Sequence, residues 1–186
     1  MSVMDPGSQP TRNPVLGDTT SGAGFGLLAL RVGVGATILQ AGMRKALAFE
    51  STAASMEAGG WRLPTVATAM VTVTETVGGI GLLLGLLTPL AACAVAAAMF
   101  DAWAVMVSGS AVWSDPFNLP FVLALGAVAL MFTGAGAHSL DQRLWARADW
   151  PRPVSVTLFV IAIAAAVATW VFLNGTNPFH LTAPGG

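Results

Sequence analysis

Charge is what this chain has least of. Only 9% of its 186 residues are Asp, Glu, Lys or Arg, against about 25% in a soluble domain. The formal net charge is −1, which leaves no basic surface for nucleic acid. Cysteine is almost absent. Cys93 stands alone, so no disulfide forms within the chain and there is no C-x-x-C for thiol exchange. Set in an apolar run, Cys93 reads as a small packing residue. The histidines, His138 and His180, have no second histidine or acid at ligand spacing, so no metal site is expected. The chain also lacks a glycine-rich phosphate loop, a nucleophile elbow and a pair of histidines placed to hold a haem between helices.

Apolar residues occupy the space that charge leaves. They make up 55% of the chain, and the mean hydropathy is +0.73. Several runs reach the roughly 20 residues needed to cross a bilayer. The expected fold is a single all-α integral membrane domain in contact with lipid.

Residues 1–21 are polar and rich in Pro, Gly, Ser and Thr, which predicts a disordered tail outside the membrane and no cleavable signal peptide. The first apolar run, Gly22 to Gly42, is interrupted by Arg31 and stops at Arg44 and Lys45. Residues 46–60 read as a loop with a partial interfacial helix, and Trp61 and Arg62 mark the water boundary. Pro64 suits the first turn of a second helix, which runs to Leu87 and a tight hairpin at Thr88-Pro89. A third helix follows from Leu90 to about Val107, carrying Asp101, and a fourth from about Phe117 to Ala137. Ser139 and Gln142 form a capping box for a short helix reaching Ala148. Leu140, Leu144 and Ala148 would face the bilayer surface, with Gln142, Arg143 and Arg147 turned to water. Pro151 and Pro153 end it, and a fifth apolar run spans Val154 to Leu173. The predicted divisions are thus 22–137 for a four-helix bundle, 138–152 for an interfacial segment, 153–173 for a fifth membrane helix and 174–186 for a polar tail. With five spans, Arg12, Arg143, Arg147 and Arg152 share one side and Arg44, Lys45 and Arg62 the other. The positive-inside rule then favours a cytoplasmic N-terminus by a margin of one charge.

The second helix, 64–87, organises the rest. It carries one carboxylate, Glu75, at a depth where an acid is expensive and has a partner or a function. Thr65, Thr68, Thr72 and Thr76 recur at steps of three and four and form one stripe beside it. Gly78, Gly79, Gly81 and Gly85 follow, the last two as a G-x-x-x-G that admits close helix packing. Measured along the helices from the side they share, Arg31 lies roughly 12 Å deep, Asp101 roughly 16 Å and Glu75 roughly 18 Å. Arg31 is therefore expected to pair with Glu75, Asp101 or both. Two acids and one base would leave a net negative site able to accept a proton. The same pair read structurally would only hold helix register, and the threonine stripe would then act as helix glue.

These features, in this order, resemble the DoxX family of small polytopic membrane proteins. The resemblance rests on Arg31 in the first helix, the Gly-x-x-Lys of Gly42 and Lys45, Glu75 followed by Gly78-Gly79, the run Leu84-Gly85-Leu86-Leu87-Thr88, and a glycine-rich turn into Ser139-Leu140-Asp141. It implies a four-helix bundle in a prokaryotic cell membrane, with Arg31 and Glu75 as an intramembrane pair and Lys45 as a base on the loop side. It also implies association with a quinone- or thiol-linked redox complex. One branch is similar to the membrane subunit of thiosulfate:quinone oxidoreductase. The fifth helix departs from the pattern and suggests a docking surface for a protein partner; a homo-oligomer is a separate expectation. Asp101 maps to no family motif.

Three functions follow. A redox-associated subunit or scaffold would use the charges to hold the bundle. A quinone-site or proton-relay subunit would use Arg31, Glu75 and Asp101, with Lys45, Thr72 and Thr76 in support, around a headgroup. A small transporter would place the acids along a path through the membrane. In none of them does the chain carry a catalytic or redox centre of its own. Cavity shape discriminates: a lipid-accessible groove reaching Glu75 favours quinone, a wet path to both faces favours transport, and a dry closed bundle favours a scaffold.

Overall fold

The computed structural model describes residues 22–147 and 149–181. The predicted N-terminal tail, Ala148 and the last five residues lie outside that range. Helices account for every regular element among the described residues: α1 (Gly22–Leu47), α2 (Phe49–Ala58), α3 (Pro64–Leu84), α4 (Thr88–Ser108), α5 (Leu119–Thr133), α6 (Leu140–Trp145) and α7 (Arg152–Thr169). A π-helical turn, Trp170–Asn174, continues α7. Four of the five long helices carry a proline in the first turn, Pro64, Pro89, Pro120 and Pro153, where the missing N–H costs nothing.

Four helices are long and apolar enough to cross a membrane: α1, α3, α4 and α7 with its π-turn. The remaining apolar helix, α5, has 15 residues and spans only about 22 Å. It was expected to reach Ala137. Gly134 (φ 76°) and Gly136 (φ 73°) end it early, and residues 134–139 follow as irregular backbone, buried at Gly134, Ala135, Gly136 and Ser139. Ser139 caps α6 as expected, its Oγ accepting from the Gln142 N–H at 3.1 Å, but the helix is only six residues long.

Helix α4 sits at the centre and packs on α3, α5 and α7, while α1 lies along α3. The core joins Val34 and Ile38 of α1, Leu82 of α3, Cys93, Val95 and Met99 of α4, Leu130 and Met131 of α5, and Leu158 and Ala162 of α7. Cys93 is buried there as the sequence suggested, its thiol donating to the Leu158 carbonyl at 3.2 Å. Helix α7 is a member of the bundle, with Ser155, Leu158, Ala162, Ala166 and Trp170 turned inward. The tail beyond it also packs: the Val112 N–H donates to His180 O at 2.8 Å, and the Arg62 N–H to Leu173 O at 2.7 Å.

The antiparallel register of α1 and α3 decides where the charges meet. A Cβ on Gly79 would stand 2.6 Å from the Leu39 nitrogen, and one on Gly42 2.6 Å from Thr76 Oγ1. Leu39 is therefore level with Gly79, and Gly42 with Thr76. Extended along the helices, this register sets Arg31 beside the α3–α4 hairpin and Lys45 beside Glu75. The first turns of α1 project beyond that hairpin. The depth comparison that paired Arg31 with the acids assumed flush helix ends, and the glycine contacts shift α1 by about two turns.

Candidate functional site

The charge cluster expected from the sequence divides into two sites at opposite ends of the α1–α3 contact. Arg31 does not pair with Glu75 or Asp101. Its guanidinium donates to the carbonyl oxygens of Ala135 and His138. These carbonyls belong to the irregular segment after α5, where they would otherwise lack partners away from water. Next to this segment is an acid that sequence reasoning placed only as part of a surface helix. Asp141 is fully buried. Its carboxylate accepts from the Leu87 N–H at 2.6 Å and the Thr88 N–H at 2.9 Å. Leu87 is the N-cap of α4, has no capping side chain of its own and adopts a left-handed φ of 47°. Asp141 thus supplies from 53 positions away the cap that the local sequence lacks.

Gly85, assigned to helix packing with Gly78, Gly79 and Gly81, belongs to this end as well. It is the left-handed C-cap of α3 (φ 63°), and the Arg31 guanidinium and Ser139 occupy the space a side chain would need. The other three glycines do face neighbouring helices: Gly79 meets α1 at Leu39, Gly78 meets α4 at Val95, and Gly81 meets α4 at Ala91.

The second site holds Glu75. Lys45 Nζ donates to its Oε2 at 2.6 Å, with side-chain exposures of 28% for the lysine and 2% for the glutamate. This is the only ion pair among the described residues. The lysine reaches in from the last turn of α1, where the sequence places it in support of the cluster and not as the partner of Glu75. Thr76 packs against Gly42, and the Thr72 and Thr76 hydroxyls are buried without a hydrogen-bond partner among the described residues.

Lys45 and Glu75 open onto a cavity of about 510 Å³. Asp101, half-buried on α4, lines the same space. Gly78 against Val95 and Gly81 against Ala91 fix the α3–α4 register, which sets Asp101 about one helical turn from Glu75 along the bundle. Apolar side chains form most of the wall, among them Met70 and Val71 of α3, Ala97, Ala98 and Met106 of α4, and Ala165 of α7. Hydroxyls come from Thr52 and Ser55 of α2, Thr74 of α3 and Thr169 of α7. The cavity opens sideways, since Met70, Val105, Met106 and Ala165 are exposed at its edge. Trp61 lies at its end near α2 and meets Trp170 edge to face, with ring centroids 6.0 Å apart. Carboxylates, an ammonium group and hydroxyls at one end of an apolar chamber form a site for an apolar molecule with a polar head.

No curated protein and no solved structure matches the chain. The family model described as DoxX matches residues 26–109, which run from α1 through α4 and contain Lys45, Glu75 and Asp101. The Ser139-Leu140-Asp141 turn, the α6 region and α7 fall beyond the match. The segment 26–109 is similar to the DoxX family of membrane proteins, and the chain is a multi-pass helical membrane protein that contains it.

Proposed function

We propose that this chain is a membrane subunit of a redox complex in a prokaryotic cell membrane, and that its cavity receives a quinone headgroup. The observation that carries this reading is the sideways opening of an apolar cavity onto the Lys45–Glu75 pair and Asp101. A quinone supplies carbonyl oxygens that accept hydrogen bonds and take up protons on reduction. Lys45 has three N–H donors and spends one on Glu75, so others are free to hold a carbonyl oxygen. Glu75 keeps the ammonium group in place. Asp101 has no partner among the described residues and exchanges a proton at the wall of the same chamber. The methionines and alanines receive the ring and the start of the tail. A partner protein carries the redox centre. The packed end at Arg31 and Asp141 supports a site reached from one side over a path through the membrane.

The test is a titration of the purified protein with a short-chain ubiquinone and a short-chain menaquinone, followed by quenching of Trp61 fluorescence with Trp61→Phe as control. Lys45→Met and Asp101→Asn are each expected to weaken binding about tenfold, or ~1.4 kcal/mol. Quenching that is absent, or unchanged in both variants, would overturn the assignment.

A further inference from the structure

The fold also indicates the side of the membrane from which the cavity is reached. Helices α1, α4 and α7 run towards the end that carries α2, Trp61 and the tail, whereas α3 and α5 run back. At this end Met56, Gly59, Trp61 and Thr169 line the cavity. The opposite end holds the α3–α4 hairpin, α6 and the start of α7, closed around Arg31 and Asp141.

The basic residues divide unevenly between the two ends. Arg143, Arg147 and Arg152 are exposed at the hairpin end. At the mouth end only Arg44 and Arg62 are exposed, because Lys45 is withdrawn into the ion pair with Glu75. Lys45 still counts among the basic residues flanking α1, and Arg12, which precedes α1 in the sequence, keeps the excess on the hairpin side at one charge. Positive residues flanking membrane spans mark the cytoplasmic side.

We propose that the cavity is served from the non-cytoplasmic face: its mouth, α2 and the C-terminal segment lie outside the cytoplasm, and the hairpin end with α6 lies within it. Protons taken up at Asp101 when the quinone is reduced are then drawn from the outer compartment. The redox partner is an extracytoplasmic protein, or the extracytoplasmic domain of an anchored one. This takes the cavity as the binding site described above, but its test does not depend on the ligand.

The experiment uses the full chain with Cys93→Ala, so that each added cysteine is unique. Glu57→Cys and Asn177→Cys report the mouth end, and Arg147→Cys and Arg152→Cys the hairpin end; all four positions are exposed. A membrane-impermeant maleimide is applied to intact spheroplasts and then to permeabilised ones. The expected result is full labelling of Glu57→Cys and Asn177→Cys in intact spheroplasts, with labelling of the two arginine positions lost until permeabilisation. The reverse pattern, or equal labelling of all four in intact spheroplasts, would overturn the proposal. Two positions at each end keep the test decisive if one variant fails to insert. Ser55→Cys, which lines the cavity, separates the two readings. If added short-chain quinone leaves its labelling unprotected while the sidedness stands, the quinone reading fails and this one survives.

Discussion

Each buried charge in this protein has a separate local role. Glu75 is almost wholly enclosed, and Lys45 is its only cationic partner among the described residues. Removing the lysine alone leaves an uncompensated carboxylate, which costs about 3 kcal/mol. Lys45→Met is therefore expected to lower the thermal midpoint in mild detergent, and Lys45→Met combined with Glu75→Gln to recover much of the loss. A double variant no more stable than the single one would show that the pair is not coupled. Asp141 instead caps α4 and holds the left-handed Leu87 in place. Asp141→Ala is expected to lose about 1–2 kcal/mol, read as faster proteolysis at the hairpin, whereas Asp149→Ala, an exposed acid nearby, should change nothing. Glu75 was legible in the sequence because an acid in an apolar run has no innocent place. Asp141 was not, because it stands in a polar stretch where an acid costs nothing, and its role emerges only once residues 53 positions apart meet.

At the scale of helices, glycine sets the geometry. The backbones of α1 and α3 approach so closely at Gly79 that an added methyl group meets the Leu39 nitrogen. Backbone cannot move aside as a flexible side chain can. Gly79→Ala is expected to cost about 1–3 kcal/mol and to separate Lys45 from Glu75, so weaker quinone quenching should accompany the loss of stability. Gly33→Ala, with nothing within 4 Å of the added carbon, is the neutral comparison. If both variants behave alike, the close approach does not set the register. The helices themselves were largely predictable, since prolines in first turns and long apolar runs define them locally. The early end of α5 was less so. Residues 134–137 are apolar enough to continue a helix, and burial of the irregular backbone under Arg31 compensates for stopping.

Considered as a whole, the molecule makes α7 part of the site. The sequence suggested that the extra helix serves as a docking surface. In the fold one face of α7 packs on α4 and α5, and Ala165 and Thr169 complete the cavity wall. The outward face, with Val156, Val160, Val167 and Val171, remains exposed. A chain ending after Asp149 is expected to lose quinone-dependent quenching even where the remaining helices insert, as measured by Trp61 fluorescence in lipid nanodiscs. Retained quenching would restrict the site to the 26–109 segment.

By itself the sequence determined the class of object. Low charge, long apolar runs and proline punctuation leave only a multi-pass helical membrane protein, because each acts within one turn or one span. The order of short motifs also indicated the family. Which charges meet was decided by tertiary structure alone. Pairing depends on the relative slide of two helices, and that slide is set by contacts between glycines and backbone far apart in the chain. A shift of about two turns moved Arg31 from the acids to the hairpin and brought Lys45 to Glu75. The cavity likewise belongs to no single segment, since its walls come from α1, α2, α3, α4 and α7, and only their packing encloses it.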